Sequence, residues 1–239
     1  MAAIIDINTL FGPMPAAASD LSVAELVELM ARHGVGQSCT LSTVGVLLDH
    51  TAGNTATRAA CAELNRLLPA ATLNPRCHFR GGAASRLRAE GFRLVRFFPE
   101  LQGWSPDSAA FREIVRELED EGLPVMVDVH GPGMATRVVE ALGGHPSPVI
   151  LAGVEADTLS EAVWLMRRCD AVHVETSSLL AEGAIRQAAE AVGPHRLLFG
   201  SGAPSRPVAS GLRVLRHAGL DEEHAALVLG ENARRVLSV

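Results

Sequence analysis

The sequence predicts an α/β fold, a single-domain TIM-type (β/α)8 barrel, on three observations. Short β-like runs alternate with amphipathic helical stretches along the whole chain. Eight such pairs of roughly 30 residues each fill the length, the period of an eight-stranded parallel barrel. The total of 239 residues suits the ~250 such a barrel needs, so residues 1–239 read as one domain. A doubly wound open sheet is the competing architecture. It usually carries a G-x-G-x-x-G turn after its first strand, and none follows Ile4–Asn8.

Strands are expected near 4–8, 37–42, 70–74, 92–98, 124–129, 148–153, 171–176 and 196–200. Helices are expected near 22–33, 54–67, 83–90, 107–121, 133–142, 159–168, 180–192 and 206–217, with a closing stretch at 221–237. Asp20-Leu21-Ser22 supplies caps for the first helix, and Gly34 ends it. Ser105-Pro106-Asp107 is expected to start the fourth. Gly122-Leu123-Pro124 ends that helix and delivers strand five.

Composition narrows the chemistry. The chain has neither lysine nor tyrosine. Schiff-base and pyridoxal phosphate catalysis need a lysine amine, and a two-metal centre of the bridged kind needs a carboxylated lysine. All are excluded, as is a tyrosine general acid. The net charge of −6 comes from interleaved acids and bases, which argues against nucleic acid or an anionic membrane as partner. No apolar run approaches the ~18 residues of a membrane span. The first strand begins almost at Met1, so a cytoplasmic location without a signal peptide is expected. Cys39, Cys61, Cys77 and Cys169 are scattered and read as buried thiols.

Alternation along strands assigns an inner face. Met126, Asp128 and His130 share one side of strand five, and Val125, Val127 and Val129 share the side expected to meet helices. The same logic turns His173, Glu175 and Ser177 inward, together with Asp6, Asn8, Ser38, Thr40, Ser42, Asn74, Arg96 and Phe98, with Glu155 just past strand six. Buried charges must be paired. Three roles stand open for this polar interior: an internal ion-pair network, a ligand pocket, or an atypical metal site from Asp128, His130 and Glu155. His130, at the carboxyl end of strand five, is placed for a general base near neutral pH. The remaining histidines, His145 among them, read as solvated. The loop Gly200–Pro207 has small residues before a helix and reads as a seat for an anion, with Thr176, Ser177 and Ser178 adding hydroxyls.

Ordered fragments carry a family resemblance. They are Ile5-Asp6 with Phe11-Gly12, Gly53-Asn54, Thr72-Leu73-Asn74-Pro75, Gly91–Pro99, Gly122–Val125, Arg196–Ser201 before Pro204, and Gly230-Glu231-Asn232-Ala233. In order and spacing they resemble the amidohydrolase-related, aminocarboxymuconate decarboxylase-like barrels, a superfamily of metal-dependent hydrolases and decarboxylases. The resemblance implies a metal site opening on an Asp-x-His-x-His run. Here those two histidine positions hold Asn8 and Leu10. The strand-five histidine maps to Asp128, the strand-six histidine near Gly153, and the strand-eight aspartate to Gly202.

The function expected is that of a catalytically degenerate barrel without metal or other cofactor, kept for binding or assembly. The alternative is a metal-independent hydrolase or lyase acting on a small carboxylated molecule. Its base would be His130 beside Asp128, with Arg96 or Arg206 clamping the carboxylate. Asn8, Glu155, Glu175 and Ser177 complete the candidate binding residues. A third reading is a metalloenzyme with rearranged ligands. The partners expected are a small anion and, by resemblance, a second copy in a homodimer or an active relative.

Overall fold

β1 (Ile4–Phe11) enters the core at once, with Ile5 and Ile7 buried. The computed structural model describes residues 3–14 and 20–239. α1 (Val23–Arg32) starts where expected: the Ser22 hydroxyl accepts the Glu25 amide, and the Glu25 carboxylate accepts the Ser22 amide at 2.8 Å. Gly34, at φ +70°, follows its end. β2 (Val35–Ser42) runs directly into α2 (Thr43–Leu47), and α3 (His50–Ala62) leads to β3 (Leu67–Thr72). α2 and α3 touch through glycines. A Cβ on Gly53 would lie 2.1 Å from the Gly45 backbone.

The helix expected at 83–90 does not form, and residues 83–91 make a series of turns. Eight residues flanked by Gly81-Gly82 and Gly91 are too few to sustain an isolated helix. β4 (Leu94–Phe97) then leads through a four-residue helix, α4 (Pro99–Gln102), to α5 (Ala109–Glu121). The α5 cap is Ser108, not the expected Ser105; Ser105 instead closes its own turn by accepting the Asp107 amide. β5 (Val125–Asp128), α6 (Met134–Leu142), β6 (Val149–Ala152), α7 (Leu159–Arg168), β7 (Val172–Glu175), α8 (Ala184–Val192), β8 (Leu197–Leu198) and α9 (Val208–Arg216) continue the alternation. α10 (Glu222–Ala226), a π-helical turn and α11 (Asn232–Leu237) close the chain.

The strands lie in sequence order in one sheet, each paired parallel to the next. The segment after β8 returns to β1. Phe199 C=O accepts the Ile7 amide at 3.0 Å, Ala203 C=O accepts the Leu10 amide at 2.8 Å, and Asn8 C=O accepts the Gly202 amide at 2.9 Å. That closes the barrel. The valine face of β5 packs as expected against Ile114 and Leu118 of α5 and Val138 of α6. Met126, Leu94, Ile150 and Leu198 belong to a separate interior cluster.

Three further expectations fail. On β2 it is Cys39 and Leu41 that join the interior cluster, so Ser38, Thr40 and Ser42 take the opposite face, because the register against β1 shifts and reverses the alternation. His145 is buried, with its Nδ1 accepting the Ser147 amide. Of the cysteines only Cys39 is buried; Cys77 is exposed, and Cys61 and Cys169 are half-buried. Among the described residues no helix is long and apolar enough to cross a membrane.

Candidate functional site

β1 is irregular where the site begins. Its register against β2 shifts between Asp6 and Thr9. The Asp6 carboxylate stitches this break, accepting the Asn8 amide at 3.0 Å and the Ser201 amide at 2.9 Å. Burial pushes the Asp6 carboxyl up to about 6, against the lowering pull of those donors and of Arg96.

The bulge presents Asn8 to the barrel interior, where its amide joins two halves of a network. Asn8 Oδ1 accepts from Arg96 Nη1 at 2.6 Å. Asn8 Nδ2 donates to Glu175 Oε2 at 2.9 Å and to Ser177 Oγ at 3.3 Å. On the other side Arg96 Nε and Nη2 reach Asp128 Oδ1 at 3.2 and 3.0 Å. The guanidinium lies 4.5 Å over the Phe98 ring. Glu175 is fully buried and is held by the Ser177 hydroxyl and amide as well. Burial pushes its carboxyl up to about 7, opposed by its hydrogen bonds and by Arg96. Its space exists because residue 200 is glycine. A Cβ there would lie 2.1 Å from Glu175 Oε1.

Above this network, at the carboxyl ends of the strands, is a cavity of about 350 Å³. Asn8, Arg96, Asp128, His130, Ser177 and Arg206 all reach it. Leu10, Val46, Phe98 and Leu101 make its apolar side. Glu175 lies beneath, within the network and out of solvent. Glu155 is not there: it is exposed in the loop after β6, where its amide donates to Thr158 Oγ1 at 3.1 Å. The expected grouping of Asp128, His130 and Glu155 is therefore not assembled, and among the described residues no three His, Cys, Asp or Glu side chains converge as metal ligands. His130 is exposed at the mouth, stacked beside Gly153, whose missing Cβ would lie 2.7 Å from its Cε1. Arg206 Nη2 donates to Ser178 Oγ at 3.3 Å. Among the described residues no carboxylate pairs with it.

Val46 and Leu101 sit on α2 and α4, elements of five and four residues that hydrophobic periodicity does not reveal. Pro99 at the first helical position was the one readable signal for α4.

The residues present do not fit a metal ion. A zinc-like centre needs about three imidazole, thiolate or carboxylate donors. The implied positions offer an amide, an isobutyl group, one carboxylate and two glycines. Asn8 Oδ1 and Asp128 already accept from Arg96. A second cation there would meet a guanidinium at hydrogen-bond distance.

Comparison with solved structures returns barrels of the same architecture. The 2,6-dihydroxybenzoate decarboxylase from Rhizobium superposes with a TM-score of 0.76 at 16% identity, covering 100% of this chain and 99% of its own. The 5-carboxyvanillate decarboxylase from Sphingomonas paucimobilis gives 0.78 at 15%, covering 100% of both chains. That from Novosphingobium aromaticivorans, complexed with manganese and 4-hydroxy-3-methoxy-5-nitrobenzoic acid, gives 0.78 at 14%, covering 100% and 96%. At these identities the likeness establishes the fold. No curated protein sequence matches the chain. The amidohydrolase family profile matches residues 48–239, beginning after β1 and its altered positions. The match spans most of the barrel, and the chain belongs to the amidohydrolase family, in its amidohydrolase-2 branch.

Proposed function

We propose that the barrel mouth binds a small carboxylated molecule without a metal ion, on a scaffold degenerate for the family's metal-assisted chemistry and kept for binding or assembly. One observation carries this reading. Two guanidinium groups reach the cavity, and they differ. Arg96 is engaged by Asp128 and Asn8, whereas among the described residues Arg206 has only a hydroxyl partner. Arg206 is thus the group with charge to offer an incoming carboxylate, in a forked contact. Ser178 stands beside it as a hydroxyl donor, since the Ser177 hydroxyl is given to Glu175, and Leu10, Val46, Phe98 and Leu101 face an apolar body. Similar structures hold 2,6-dihydroxybenzoate and 4-hydroxy-3-methoxy-5-nitrobenzoic acid, both aromatic carboxylates, which supports this class.

Calorimetric titration with 2,6-dihydroxybenzoate and with benzoate tests the reading. Binding is expected, with a Kd raised about tenfold or more by Arg206→Ala, the loss of about 1.4 kcal/mol. No binding by the wild type up to about 10 mM, or equal binding by the variant, overturns it. Sedimentation of the purified protein reads the assembly half, a homodimer or a pair with an active relative.

A second reading has one observation in its favour: His130 shares the cavity with Arg206. In that reading the imidazole is the base of a metal-independent hydrolase or lyase, with Asp128 alongside and an arginine as clamp. Asp128 is ion-paired to Arg96, and among the described residues no hydrogen bond joins it to the His130 ring. Turnover abolished by His130→Ala would establish this reading over the first, and absence of turnover in clean wild-type protein would remove it.

A further inference from the structure

We propose that the Arg96 guanidinium is this barrel's resident interior cation, held where bound metal is denied a site, and that its removal leaves an oxygen-lined hole able to take up a free guanidinium ion. The inference does not depend on the ligand of the mouth.

Three observations argue for it. First, the group is built in: Arg96 is 5% exposed, its plane fixed by Phe98 on one face and its edges by Asn8 and Asp128. Such a fork is pre-organised for carboxylate and amide oxygens in a way a flexible cation is not. Second, it ties three strands, the neighbours β4 and β5 and the non-adjacent β1. Arg96 of β4 reaches Asp128 of β5 and Asn8 of β1, and Asn8 passes the link to Glu175 of β7. A strand-bridging metal ion makes the same kind of tie. Third, the charge has acids to answer. Asp128 is paired directly, and the buried Asp6 and Glu175 both feel its field. Truncating Arg96 leaves the Asn8 and Asp128 oxygens without their donor at the floor of the mouth cavity, and removing one partner of a largely buried pair is costly.

Thermal unfolding of wild type and Arg96→Ala, each with and without millimolar methylguanidinium chloride and with urea as control, tests this. Arg96→Ala is expected to melt about 10 °C lower and to regain several degrees, saturably, with methylguanidinium alone; the wild type is expected to regain nothing. An unchanged melting temperature in the variant, or no saturable recovery, overturns the proposal. If Arg96→Ala is not obtained folded, refolding from urea with and without methylguanidinium reads the same property, and equal yields overturn it. A double-mutant cycle gives an independent check. Asp128→Asn is expected to destabilise the wild type and to relieve Arg96→Met, and an equal cost in both backgrounds contradicts the pairing. Elemental analysis of the wild type after exposure to Mn²⁺ or Zn²⁺ and dialysis is expected to find less than about a tenth of an equivalent. One tightly held equivalent overturns the claim that Arg96 denies a metal its site.

Discussion

At the scale of single residues, Glu175 sets a pH dependence. Its folded carboxyl is raised from 4.5 to about 7 by burial. The folded state therefore holds this proton more tightly than the unfolded chain. Stability falls as pH rises between those two values, and the penalty is complete above the folded one. Asp6, raised from 3.8 to about 6, works in the same direction at lower pH. His173, lowered by burial from 6.5 to about 4, works in the opposite direction. Because the three windows overlap, the wild-type curve alone is a poor readout. The difference between Glu175→Gln and wild type isolates the one group. The variant is expected to gain relative stability from pH 5 to pH 8, by about 3 kcal/mol at most. Parallel urea curves at the two pH values check this, and a constant difference would refute it. The inward placement of Glu175, Asp128 and Arg96 was legible from strand alternation. The inward placement expected of Glu155 was wrong, because alternation stops where β6 ends and Glu155 is exposed in the loop beyond it.

At the scale of elements, the stretch before β4 shows how a helical pattern is overruled. Residues 83–91 lie against α5, whose Glu117 accepts the Gly82 and Ala84 amides at 2.9 and 3.0 Å, while Glu121 accepts the Arg88 amide at 3.1 Å. His78 Nε2 is 3.1 Å from Glu117 Oε1 as well. Carboxylates from another element thus satisfy the Gly82 and Ala84 amides, which a helix over 83–90 would leave open at its first turn, and the Arg88 amide, which it would have satisfied locally. Glu117→Ala is expected to cost about 1–3 kcal/mol. It should also speed hydrogen exchange at Gly82 and Ala84 while leaving the β5 amides protected. Uniform loss of protection across the barrel would contradict so local a role. None of this was readable beforehand, because the partners lie more than thirty positions apart.

At the scale of the whole molecule, closure depends on the two chain ends. The segment 199–203 hydrogen-bonds to β1, and Phe199 donates to Val228 C=O in the π-helical turn at 2.9 Å. Asn232, wholly buried, clamps this seam: its Nδ2 donates to Pro194 C=O at 2.9 Å and to Leu197 C=O at 2.8 Å. Asn232→Ala removes both donations, leaving Pro194 C=O with the Leu197 amide alone, and is expected to cost about 2 kcal/mol. One cooperative urea transition with an unchanged slope and a lower midpoint is the expected result. A second transition would mean that the seam opens on its own.

The sequence by itself determined the (β/α)8 order, the inward faces of β4, β5 and β7, and the replacement of the implied metal ligands by Asn8, Leu10, Asp128 and Gly202; it misread β2, where Cys39 and Leu41 turn inward. Periodicity and residue chemistry are local properties, so a linear reading captures them. Only the tertiary structure decided that Arg96 fills the interior between Asn8 and Asp128, that Arg206 meets no carboxylate among the described residues, and that α2 and α4 wall the cavity. Those outcomes depend on distances across a closed barrel, set by packing among residues far apart in the chain.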